Sequence, residues 1–303
     1  MHWFLIALVA PMLWSAGNHI DKYLLSKYFK GGGVGALVIF SSLGALGFLP
    51  IIYFFQHNVF DISMFQRAVI ILSGCIYVVD VFLYIKALEY GETSVVVPLF
   101  QLLPVFAYVL GFLVLGERIG SIQTLGAVLI IVGAITITID LKTVGSWLNH
   151  RVLLLMTGAS FLGAVNNLIF KIIAVETDFL TTSFWEYVGF VIFGTFLFIA
   201  VAPWRREFLT VLRVNKIGIL SLNGLNEALN IIARFFMNYA TLLVPLSMAL
   251  VVNGFQPFFV FIYGIILTLF FPHIAKESLL KEHLAQKIIA ITIIFIGSYF
   301  LNS

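Results

Sequence analysis

Six polar residues recur through one stretch of otherwise apolar chain: Asn223, Asn226, Glu227, Asn230, Arg234 and Asn238. At about 100° per helical residue they fall within an arc of about 120°, so a helix there carries one polar stripe over several turns. A second apolar stretch carries Tyr77, Asp80 and Tyr84 at i, i+3 and i+7, again on one face. Carboxylates, amides and phenols grouped in this way can hold a polar or charged solute, and a carboxylate can also take up and release a proton. Arg234 is the first candidate partner for Asp80. The alternative is that Asp80 and Glu227 exchange protons and couple solute movement to a proton gradient. Against both stands a structural reading, in which the stripe is a ladder of amides and an ion pair between helices. A purely structural ladder has no need of both charges, which favours the lining of a cavity.

Further candidates are scattered more thinly. Asn18 and Lys22 are matched by Asn167 and Lys171 at the same spacing. The lysines either reach out to headgroups or form a gate or substrate-anion contact, with each asparagine one turn earlier on the same face. Trp14 could stack on a substrate or simply pack. Trp185-Glu186-Tyr187 falls near one end of its apolar run, where aromatic residues commonly meet the interface. Glu117-Arg118 reads as a loop cap at the start of the following helix. Pro98, Pro104 and Pro257 lie within apolar runs, where each would bend its helix and free carbonyls. The lone cysteine, Cys75, reads as packing, and the six histidines show no metal-ligand spacing.

The elements that position these groups follow from composition. Of 303 residues, 61% are apolar and 10% charged, against about 25% charged in soluble domains. That surplus of apolar surface needs an apolar solvent, and a backbone in hydrocarbon must satisfy its own hydrogen bonds. Continuous runs such as 125–139 and 288–301 lack the alternation of barrel strands, so the spans are helices. The expected spans are 3–22, 34–55, 67–88, 93–115, 120–140, 151–173, 180–202, 216–240, 245–271 and 284–302. Gly116-Glu117-Arg118 divides a run too long for one crossing of about 30 Å of hydrocarbon. The charged stretch Lys276–Lys287 is expected as a loop. Because the N-terminus enters apolar residues without a cleavage motif, the first helix is expected to be retained.

The second half echoes the first. A shift of 153 residues lays Ser94, Pro104 and Gly111 on Ser247, Pro257 and Gly264, a shift of 149 lays Asn18 and Lys22 on Asn167 and Lys171, and a shift of 164 lays Gly133 on Gly297. The reading is an all-α polytopic membrane protein of ten transmembrane helices, built as two inverted five-helix repeats at 3–140 and 151–302. Ala87-x10-Pro98, Pro104-Val105-Phe106, Leu115-Gly116-Glu117-Arg118, Gln123 and Gly126-x6-Gly133, with Trp14-Ser15 and Asn18-x3-Lys22, resemble the EamA-type domain of the drug/metabolite transporter superfamily. The resemblance fades in the second half, where Phe270-Phe271-Pro272 stands in place of Gly-Glu-Arg. It implies ten helices, alternating access around a central cavity and cytoplasmic termini; the crowding of Lys and Arg on the side opposite the N-terminus favours outside termini instead.

The function read from these residues is a secondary active transporter, an exporter of a small polar or charged metabolite in the inner membrane. Its partners are a small-molecule substrate and the bilayer, with a homodimer left open and no nucleic acid. No cofactor or enzyme signature is present in the sequence. The alternatives are a flippase for a lipid-linked substrate, or a non-transporting membrane scaffold or sensor.

Overall fold

The computed structural model describes residues 2–28, 33–90, 96, 99–138, 150–214, 216–270 and 281–302. All regular structure among them is helical. In chain order the helices are α1 (His2–Tyr28), α2 (Val34–Gly44), α3 (Leu49–Phe55), α4 (Met64–Tyr90), α5 (Leu102–Leu115), α6 (Ser121–Thr138) and α7 (His150–Glu176). They continue as α8 (Phe179–Ala200), α9 (Ala202–Val214), α10 (Lys216–Leu243), α11 (Leu246–Val251), α12 (Gln256–Phe270) and α13 (Lys281–Leu301). Among the described residues, six segments are long and apolar enough to cross a membrane: His2–Asp21, Val34–Phe55, Met64–Ala87, His150–Glu176, Phe179–Ala200 and Leu246–Phe270. Leu102–Leu115, Ser121–Thr136 and Ile288–Leu301 are apolar but shorter. Large apolar side chains such as Phe54, Leu113, Leu154 and Leu269 stand exposed around the bundle. Such a surface fits hydrocarbon and not water.

Two expected spans are broken. A 3-10 turn at Ala45–Gly47 separates α2 from α3, and another at Val252–Phe255 separates α11 from α12. Pro257 sits in the first turn of α12, and Pro104 in the first turn of α5. At a helix start the missing N–H has no intrahelical partner to lose, so Pro104 begins a helix and does not kink one. Ser15 of α1 donates to the Gln256 carbonyl at the second break (2.9 Å). Pro98 and residues 276–280 of the charged stretch lie outside the described residues, and residues 281–287 of that stretch open α13 and do not form the expected loop.

One helix was not expected. The Pro203-Trp204-Arg205-Arg206 segment forms α9, and does not merely end the preceding span. It is amphipathic. Trp204 packs against Gly35 and the Phe82 ring, and Phe208 against Phe40, while Arg206 and Arg213 face outward. That arrangement suits a helix lying at a membrane surface.

Glycines set the closest approaches. A Cβ on Gly74 of α4 would lie 2.3 Å from the Glu186 carbonyl oxygen of α8, and one on Gly189 would lie 2.3 Å from the Ile71 carbonyl oxygen. Only hydrogen fits there, as in small-residue contacts between membrane helices. Gly126 and Gly133 of α6 meet the α13 backbone in the same way, with Gly297 opposite Gly126, and the two helices run antiparallel. Likewise α1 and α10 run antiparallel, with Gly17 against Asn226 and Asn230. These crossings carry α1, α4, α7, α8 and α10 around a polar interior.

Candidate functional site

The polar stripe of α10 faces inward along its length. Asn223, Asn226, Glu227, Arg234 and Asn238 are buried and Asn230 is half-buried, while Leu225, Ile232 and Tyr239 on the opposite face are exposed. Its two ends differ in chemistry.

At the Arg234 end the polar groups are closed on one another. The Arg234 Nη2 donates to Glu186 Oε1 at 2.8 Å and its Nε to Oε2 at 3.3 Å. Nη2 also donates to the Asn166 side-chain carbonyl. Asn166 Nδ2 donates to Glu186 Oε1 (3.0 Å) and to the Ser73 carbonyl and hydroxyl (3.0 and 2.9 Å). Asn238 Nδ2 completes the shell at Glu186 Oε2 (3.2 Å). The guanidinium lies 3.8 Å above the Tyr77 ring, which is stacked on Phe190. Glu186 is 0% and Arg234 5% exposed. Arg234 therefore pairs with Glu186 and not with Asp80, which corrects the expectation. The physical reason is the Gly74–Gly189 contact: it brings α8 close to α4 and turns Glu186 inward. Its neighbour Trp185 points the other way and donates to the Val59 carbonyl (2.6 Å) near the chain's 56–63 connection.

At the other end, away from Glu186, no described cation forms an ion pair with a carboxylate of the stripe, although the Arg234 charge reaches Asp80. Glu227 Oε1 accepts from the Ser41 hydroxyl (2.7 Å), and Asp21 Oδ1 of α1 accepts from Asn226 Nδ2 (2.6 Å). Asp80, 9% exposed, packs on Gly163 of α7 and accepts no hydrogen bond from the described residues. Nor do the side chains of Asn18, Tyr77, Tyr84 or Asn230 hydrogen-bond to any described residue, although all four sit on inner helices and are only half-buried. The charges here act on one another: Asp21 on Glu227 and Tyr84, and Asp80 and Glu227 on Tyr77. Unpaired polar groups on inner faces are costly in a dry setting, so the arrangement suits a wet space that a solute can enter.

The paired lysines divide. Lys171 makes an ion pair with Glu117 (2.5 Å) and donates to the Val244 carbonyl (2.7 Å), so its charge is already spent within the protein. Glu117 in turn accepts from the Leu246 N–H (2.7 Å), which caps α11 and not α6, the helix it was expected to start. Gly116, at φ +66°, makes the left-handed turn that ends α5 and aims Glu117 this way. Asn167 donates back to the Gly163 carbonyl of its own helix (2.8 Å). Trp14 packs beside the core cluster to which α1, α10 and α11 contribute. The side chain of Lys22 lies outside the described residues.

Three groups escaped the sequence reading: Glu186 as the arginine's partner, Asn166 beside it, and Asp21. Asp21 had a signal, since it sits three residues after Asn18 and seven after Trp14, on the same face of α1.

Residues 1–139 match the family model described as the EamA-like transporter family. No curated protein matches the chain. A protein of known crystal structure is similar over 99% of this chain and 96% of its own, with a TM-score of 0.64 and 14% identity. That likeness concerns the fold: essentially the whole chain takes up a known architecture.

Proposed function

We propose, from an EamA-type domain of the drug/metabolite transporter superfamily in residues 1–139, that this membrane protein is a secondary active transporter. It moves a small polar or charged metabolite by alternating access, as an exporter in the inner membrane. Ten crossings in two inverted repeats, 3–140 and 151–302, underlie the cycle. Support for that count comes from α10, which at 28 residues is long enough to cross the hydrocarbon and turns its polar stripe inward. Support for inversion comes from the antiparallel contact of α6 with α13, the last helix of each proposed repeat.

The observation that carries the reading is that the Asp80, Asn18 and Asn230 side chains and the Tyr77 and Tyr84 hydroxyls, on helices from both halves, make no hydrogen bond to the described residues. Asp80, Glu227, Asn226, Asn230, Tyr77, Tyr84 and Asn18 form the solute-contacting set. Arg234 belongs to the closed network that holds α4, α7, α8 and α10 in register. The test is flux through proteoliposomes containing the purified chain. Asp80→Asn and Glu227→Gln abolish flux while the variants still elute as the wild type; wild-type flux in both would refute the reading.

A further inference from the structure

The apolar outer surface is indented between α3, α8 and α10 by a cavity of about 200 Å³, lined by aliphatic and aromatic side chains. Ile52, Tyr187 and Ile231 are buried at its floor, while Ile51, Phe55 and Ile232 stand exposed at its rim. The one polar side chain in the lining, Tyr187, has its hydroxyl on the Ile231 carbonyl (3.4 Å). Tyr187 meets Phe190, which stacks on Tyr77 beneath Arg234. Aromatic rings therefore stand between this cavity and the closed polar network, and it belongs to the outer surface. Its placement is specific. One end lies where α3 stops at Phe55 and α8 begins at Leu180, beside Gln56, His57 and the capping Asp178. From there it reaches Phe48 and Tyr187, seven residues along each stretch, which is about 10 Å at 1.5 Å per residue. The hydrocarbon of one leaflet is about 15 Å deep, half of about 30 Å. The cavity thus runs from headgroup level toward the midplane within a single leaflet, along the direction of the lipid tails.

We propose that this cavity binds one acyl chain of a bilayer phospholipid, drawn from the leaflet on the Phe55 side. The site is independent of what the protein carries. Water does not fill the cavity, because a buried water needs two to four polar partners and the lining offers none. Left empty, the lining forfeits dispersion contacts on one side. A second copy of the chain cannot seat a helix there: one turn about 10 Å across and 5.4 Å long takes up about 400 Å³, twice the space present. An acyl chain is slender and flexible, and the rim at Ile51, Phe55 and Ile232 is continuous with the lipid-facing surface. Because lipid tails are as apolar as the lining, packing and not water exclusion retains the chain. Held there, it joins α3 to α10 and backs the Tyr187–Phe190–Tyr77 stack.

The experiment places the full chain in phosphatidylcholine vesicles containing a trace of phosphatidylcholine with a diazirine midway along one acyl chain. After irradiation, mass spectrometry of the digested protein locates the adducts. The expected result is enrichment on the cavity residues of α3 and α10 over the exposed controls Leu154 and Leu269 by roughly fivefold, the worth of several extra carbon–carbon contacts. Ile232→Trp, which fills the cavity from its rim, should bring cavity adducts down to the control level and leave the controls unchanged. Diluting the protein into more lipid should leave the enrichment as it is. Equal labelling of cavity and controls in the wild type overturns the proposal. Cavity labelling that rises on dilution also overturns it, since a second copy then covers the face at high density. The wild-type ratio decides the matter even where the variant fails to fold.

Discussion

Replacing Glu186 with leucine tests the closed network most sharply. The substitution removes both carboxylate contacts of Arg234 (2.8 and 3.3 Å) and the acceptors of Asn166 (3.0 Å) and Asn238 (3.2 Å). Breaking one side of a buried pair costs about 3–5 kcal/mol. Hydrogen bonds inside membranes average only about 0.6 kcal/mol, so the four lost bonds account for roughly half. The remainder is the guanidinium left without a counter-charge over Tyr77. Adding Arg234→Met removes that charge, and the double variant therefore recovers about half of the loss, roughly 2 kcal/mol. The assay is equilibrium unfolding of the purified protein by SDS in mixed micelles, run on both single variants and the double. If Glu186→Leu lies within about 1 kcal/mol of wild type, or the double variant is as unstable as the two singles summed, the network does not hold the helices as described.

Other predictions follow from the same contacts. Gly74→Val places a side chain where a Cβ already lies 2.3 Å from the Glu186 carbonyl oxygen; size-exclusion profiles of the expressed protein should show loss of the folded species. Gly224→Ala meets open space and should elute unchanged. Lys171→Met strips Glu117 of its ion pair and the Val244 carbonyl of its donor, loosening the clasp between the end of α5, α7 and the start of α11. A cysteine at Thr241, which is buried in the wild type, should then react faster with a water-soluble thiol reagent.

Much of this architecture was legible in the residues. The six-residue stripe of α10 and the Tyr77-Asp80-Tyr84 face each depend only on helical spacing, and both point inward as that spacing requires. Pairing between helices was not legible. Spacing says which way Arg234 points along its own helix, but the choice among Asp80, Glu186 and Glu227 depends on which helix comes near. That is decided by Gly74 and Gly189, whose lack of side chains lets two backbones meet. Glu186 was placed by its distance from the end of an apolar run, whereas burial follows from its direction, opposite to Trp185. Helix α9 was hidden because Pro203, Arg205 and Arg206 read as a loop, although Trp204, Phe208 and Val211 share one face. Lys171 resembled Lys22 in sequence, yet a carboxylate from the loop after α5 captures it.

The central claim is that the inner faces of α1, α4 and α10 meet water. Cys75 is the sole cysteine, so a Cys75→Ala background permits single thiols at Asn18, Tyr84 and Asn230, with Leu72 on the exposed apolar face of α4 as the lipid-facing control. Labelling in intact membranes with a charged methanethiosulfonate reagent should modify the three inner thiols and spare Leu72→Cys. Inner thiols no more reactive than that control would contradict the account.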